Sequence, residues 1–114
     1  MDIIENDYFK DVDHVVKLIY KKLIGRVKKF DQVKVEFTPT SVHLLNRFSF
    51  AGIYLRPDNI ILEFQLDYRL KSDRVKTIDS TGENHFHHAI ILETENDIDE
   101  QLLTWLKEAY DLKK

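Results

Sequence analysis

Ile60-Ile61-Leu62-Glu63-Phe64-Gln65-Leu66-Asp67-Tyr68 is the stretch that decides the fold. In an extended chain Ile60, Leu62, Phe64, Leu66 and Tyr68 share one side, while Glu63, Gln65, Asp67 and Arg69 share the other. One apolar and one wet side mark a half-buried strand of an antiparallel sheet, because parallel strands need cover on both faces. Just upstream, Arg56-Pro57-Asp58-Asn59 carries strong turn chemistry and Phe48 to Leu55 is strand-like. The spacing therefore predicts a hairpin around Pro57.

The same period extends outward. Val33, Val35 and Phe37 alternate with Lys34 and Glu36, Thr38-Pro39-Thr40 breaks the run, and Val42 to Leu45 forms another short strand before a turn at Asn46-Arg47. Residues 71–84 read as a connection holding a short strand at Val75 to Ile78; Phe86, His88, Ile90 and Leu92 then alternate as the last strand. At both ends the period changes. From Asp7 to Val27, Tyr8, Val12, Val15, Val16, Ile19, Leu23 and Val27 recur every three or four positions, predicting a helix capped by Asn6 or Asp7, with Gly25 either ending it early or weakening its last turn. Ile98, Leu102, Leu106 and Ala109 or Tyr110 predict a second helix, with Asp97 and Glu100 spaced as a capping box. Each element has one apolar surface, and stacking buries all of them together. The expected fold is a two-layer α+β sandwich: an N-terminal helix, an antiparallel sheet of about four to six strands and a C-terminal helix, both helices on one sheet face. No linker or composition break divides residues 1–114, so a single domain is expected.

Composition excludes several functions. The 114 residues are 43% hydrophobic with three Gly and two Pro, unlike a disordered chain. Seventeen Lys plus Arg against 20 Asp plus Glu leave a net charge of −3, too balanced for a nucleic-acid coat. Without Cys there are no disulfides, thiolate metal sites or thiol catalysis. No apolar run reaches the ~20 residues of a membrane span, and MDIIENDYF lacks a basic signal-peptide start, so a cytosolic location is expected. Gly25, Gly52 and Gly82 stand alone, so no phosphate-cradling loop exists and no cofactor is implied. None of Ser41, Ser49, Ser72 and Ser80 sits in a nucleophile elbow. Glu93, Glu95, Asp97, Asp99 and Glu100 read as acids favoured by a helix N-terminus.

Two surfaces remain. His85 and His87 point the same way from the last strand, close enough to reach one metal ion, although a zinc site needs further ligands; His88 points oppositely, toward the core margin. With Arg47, Tyr54, Arg56 and Arg69 they mark the wet sheet face as a candidate binding surface. The second surface is a basic stripe of Lys10, Lys17, Lys21 and Lys28 along one line of the first helix. Its phosphate-binding reading competes with that of an ordinary solvated helix face.

The order His43-Leu44-Leu45-Asn46-Arg47, Phe50-Ala51-Gly52-Ile53-Tyr54, Ile61-Leu62-Glu63-Phe64, His87-His88, Ile98-Asp99, Leu103, Trp105-Leu106-Lys107 and Glu108-Ala109-Tyr110 resembles a bacterial family of domains of unknown function, number fifty-six fifty-five. Some members carry the label "predicted transport protein", and the resemblance implies no catalytic residues. The expected function is a non-catalytic binding or accessory module working through its open sheet face or its basic stripe. The alternatives are a nucleic-acid-associated accessory domain and a small metal-dependent enzyme using His85 and His87. A homodimer or a protein partner is compatible with either surface.

Overall fold

A computed structural model describes residues 9–113. Helix α1 (His14–Val27) precedes strands β1 (Lys34–Phe37), β2 (Val42–Leu45), β3 (Ser49–Leu55), β4 (Ile60–Leu66), β5 (Val75–Gly82) and β6 (His85–Leu92). A single 3₁₀ turn (Glu95–Asp97) leads into helix α2 (Glu100–Leu112). The strands form one six-stranded antiparallel sheet in the order β1-β2-β3-β4-β6-β5, so only β5 and β6 exchange places relative to the chain.

The decisive stretch behaves as its period requires. Ile60, Leu62, Phe64 and Leu66 are buried and pair with Leu92, Ile90, His88 and Phe86, whereas Ile61, Glu63 and Gln65 are only partly covered. Both helices lie over the buried side. Val16, Ile19, Tyr20, Leu23 and Val27 from α1 and Leu102, Trp105, Leu106, Ala109 and Tyr110 from α2 join the inward strand residues in one continuous core. The expected α+β sandwich is therefore the observed one, with six strands.

Several boundaries move. The proposed caps Asn6 and Asp7, and the apolar Tyr8, lie outside the described residues. Helix α1 starts at His14 because the Asp13 N–H is held at 2.8 Å by the Pro57 carbonyl of the β3–β4 turn, which takes it out of helical bonding. Val15 is 37% exposed and so stands off the buried stripe. Gly25 does not end the helix, which continues to Val27. Strand β4 stops at Leu66, so Tyr68 turns outward and its hydroxyl donates to Glu108 at 2.8 Å. The short strand expected at Val75 extends to Gly82. Asp97 does not cap α2. Its carboxylate accepts from the Glu93 and Thr94 amides, and Asp99 caps the helix by accepting from the Leu102 amide at 3.0 Å.

The helix ends are tied to the hairpins. Asn46 donates to the Tyr110 carbonyl at 3.2 Å, and the Arg47 and Phe48 amides converge on the Lys113 carbonyl. The β2–β3 turn thus satisfies carbonyls that the last turn of α2 leaves without helical partners.

Candidate functional sites

The uncovered sheet face carries the histidine-rich cluster. Strand pairing sets Glu36, His43, Gly52, Glu63, Ala89 and Thr77 in one row across the sheet, with Gln65, His87 and Asp79 in the next. A hollow of about 110 Å³ lies among His43, Gly52, Tyr54, Glu63, Gln65 and His87, and a second of about 150 Å³ among Glu63, Thr77, Asp79 and His87. At Gly52 a Cβ would sit 3.3 Å from the Tyr54 ring and 3.7 Å from the His43 ring, so the tyrosine would have to give by a few tenths of an ångström. Burial, then the Glu63 carboxylate, raises the Tyr54 phenol above its ordinary pKa.

The polar groups here are mostly engaged with one another. Ser41 Oγ lies 2.9 Å from His43 Nε2 and 3.0 Å from Thr38 Oγ1. That pair resembles a nucleophile and base, but Ser41 is only 3% exposed and serves the β1–β2 turn, where Thr38 Oγ1 accepts from its amide. Sequence reading passed over His43, although its place between the inward Val42 and Leu44 already turns it outward. The Gln65 amide donates to His85 Nδ1 at 2.7 Å. His87 faces Asp79 across the β5–β6 ladder. Among the described residues no three His, Asp or Glu side chains gather in a way that could hold a metal ion, so the fold brings no further ligand to His85 and His87.

The arginines do not join this cluster. Arg47 lies in the β2–β3 turn, 5.6 Å from the ring of the exposed Phe48, and Arg56 lies in the β3–β4 turn. Arg69 follows the end of β4, and its guanidinium sits 4.9 Å from the ring centre of Phe86. By strand alternation Phe86 belongs to the side of His88 and Ile90, away from His85 and His87. Of the six candidates, Tyr54, His85 and His87 lie within strands on the open face. His88 is fully buried: it stacks on Phe64 at 5.5 Å, and its Nε2 accepts from the Leu70 amide at 3.0 Å.

The lysine stripe borders a larger concavity. Between α1 and the edge strand β1 lies a groove of about 530 Å³, lined by Tyr20, Ile24, Val33, Val35 and Phe37, with Lys21, Gly25 and Lys28 also on its wall. The i, i+4, i+7 spacing of the last three places them along one helix line. Lys17 lies one turn before Lys21 and Lys10 precedes the helix; neither lines the groove. Nothing lies within 4 Å of where a Gly25 Cβ would stand, so the wall is open there. Among the described residues no acidic side chain lines this groove. A comparable hollow of about 470 Å³ runs between the helices, but its Arg26, Lys29 and Lys107 are balanced by Glu100, Glu108 and Asp111.

No helix of the described residues is long and apolar enough to cross a membrane. A family model described as "Domain of unknown function (DUF5655)" matches residues 5–113, and the chain belongs to that family. No curated protein and no solved structure matches it.

Proposed function

We propose that this chain is a non-catalytic binding module and that the groove between α1 and β1 is its working surface. One observation carries the reading: among the described residues, the groove joins five apolar side chains to two lysines on one wall without a single acid. Ligand sites combine an apolar lining with a few oriented polar groups, typically in ~300–1,000 Å³, and this groove falls within that range. The hollows on the open face are far smaller, and His43 and His85 beside or near them already have hydrogen-bond partners. The apolar floor also favours a protein segment over a nucleic-acid backbone, which would leave Val33, Val35 and Phe37 without contacts to make.

Crystals soaked in phenol and in isopropanol test the site without knowledge of a partner. Small amphipathic probes should collect over Ile24, Val35 and Phe37. Probes collecting instead around Tyr54 and His87, or nowhere in common, would move the working surface or remove it.

A further inference from the structure

We propose that the open sheet face holds a small aliphatic guanidinium compound, its planar head against Glu63 and Tyr54 and a second cationic end toward Asp79. The site is separate from the groove beside α1, and neither reading rests on the other. Relief, charge and shape all point there. Glu63 pairs with Gly52 on one side and with Ala89 on the other, so the two smallest residues of its row flank it. The two hollows of the face lie over these residues, and Glu63 and His87 line both, so one ligand can reach each of them. Their floors are two strand spacings apart, about 10 Å.

Glu63 is half-buried, and among the described residues its carboxylate has neither an ion pair nor a hydrogen bond. Among the described residues no lysine or arginine lines either hollow, while Asp79 adds a second carboxylate to the one over Ala89. The Tyr54 ring walls the hollow over Gly52, and its phenol is close enough to feel the Glu63 charge. A guanidinium suits these walls. It offers a flat fork of N–H donors to both oxygens of one carboxylate and stacks on an aromatic face, whereas an ammonium is a compact point charge. A hollow of about 110 Å³ admits such a head and not a drug-sized ligand. The neighbouring hollow of about 150 Å³, with Asp79, Thr77 and Thr81 as acceptors, suits an amine at the end of a short alkyl chain. A carboxylate on the ligand would be set against Glu63 or Asp79, so free arginine is a poor occupant.

The probe is agmatine, a guanidinium and an ammonium joined by a short alkyl chain, titrated into the full chain while backbone amide shifts are followed. Saturable shifts are expected at residues 52–54, 63–65, 77–79 and 87–89. Methylguanidinium, which lacks the second cation, and butylamine, which lacks the fork, should each bind about tenfold more weakly. Glu63→Gln should weaken agmatine about tenfold, and Asp79→Asn about threefold while leaving methylguanidinium unchanged. Both variants keep the size of the side chain, and their thermal melts separate a lost ligand contact from a damaged fold. Ala89→Leu, which fills the second hollow, should act as Asp79→Asn does. Butylamine binding as tightly as agmatine, agmatine indifferent to Glu63→Gln, or no saturable binding at millimolar agmatine would overturn the proposal. Tighter binding of acetyl-arginine amide than of agmatine would overturn it too, by assigning the site to an arginine side chain of a protein.

Discussion

His88 shows how one buried polar residue sets a pH dependence. Burial lowers its pKa below the ordinary histidine value; the nearby carbonyls of Phe86 and Phe64 oppose that shift, and His87 and Arg69 reinforce it. Because Nε2 accepts from Leu70, the neutral ring carries its proton on Nδ1, which faces those carbonyls without an aligned hydrogen bond. The unfolded chain takes up a proton near pH 6.5, and the folded chain only at lower pH. Stability from this group is therefore complete above 6.5 and is lost as pH falls from there toward the folded pKa, by up to about 1.4 kcal/mol per pH unit. Urea melts at pH 7.5 and 5.5 should show the loss in the parent and a smaller one in His88→Gln. Equal losses would place the pH dependence elsewhere. Gly25 makes the opposite kind of prediction. It is an exposed glycine inside a helix with room for a Cβ, so Gly25→Ala should stabilise the fold by about 0.5–1 kcal/mol. An unchanged or lower melting midpoint would contradict this. The inward direction of His88 was legible from alternation with Phe86 and Ile90. Its bond to Leu70 was not, because that contact depends on how the chain returns after β4.

Among the elements, α2 depends on its anchors as much as on its buried stripe. Arg74 donates to both Asp99 carboxylate oxygens, to Gln101 and to the Asp97 carbonyl, and its guanidinium lies 5.8 Å from the Trp105 ring centre. Partial burial pushes the Asp99 pKa up, but the Leu102 amide and Arg74 outweigh it and hold the carboxyl below its usual value. Arg74→Ala should cost about 1–2 kcal/mol, allowing for solvent screening of the exposed ion pair, and should loosen amide-exchange protection in the first turn of α2. Asn46→Ala, at the other end, should cost about 1 kcal/mol and fray the last turn. A loss spread evenly over the helix in either variant would deny the anchors their local role. These anchors were invisible beforehand because residues far apart in the chain form them. Strand β5 was foreseen only over Val75 to Ile78, for a different reason. Only Val75 and Ile78 are half-buried in its apolar set, a register shift between Val75 and Thr77 breaks the two-residue period, and the rest is polar and exposed. The turn after it, read only as part of a connection, places Gly82 and Asn84 at positive φ, which these two residue types tolerate.

At the scale of the molecule, the layering followed from periodicity alone: strands with one apolar side and helices with one apolar stripe have few other ways to seal together. The candidate site was less legible. Sequence reading isolated Lys21 and Lys28 as part of a stripe and assigned Val33, Val35 and Phe37 to a strand, but their shared groove exists only because β1 ends the sheet beside α1. Conversely, Arg69 was expected among the wet-face histidines and left them because β4 ends three residues earlier. The groove account is tested most directly by backbone amide shifts during titration with phenol. Shifts should concentrate in residues 20–28 and 33–37, with the open-face strand residues around 52–54, 63–65 and 85–89 unmoved. Shifts centred on that open face, with 33–37 silent, would contradict the account.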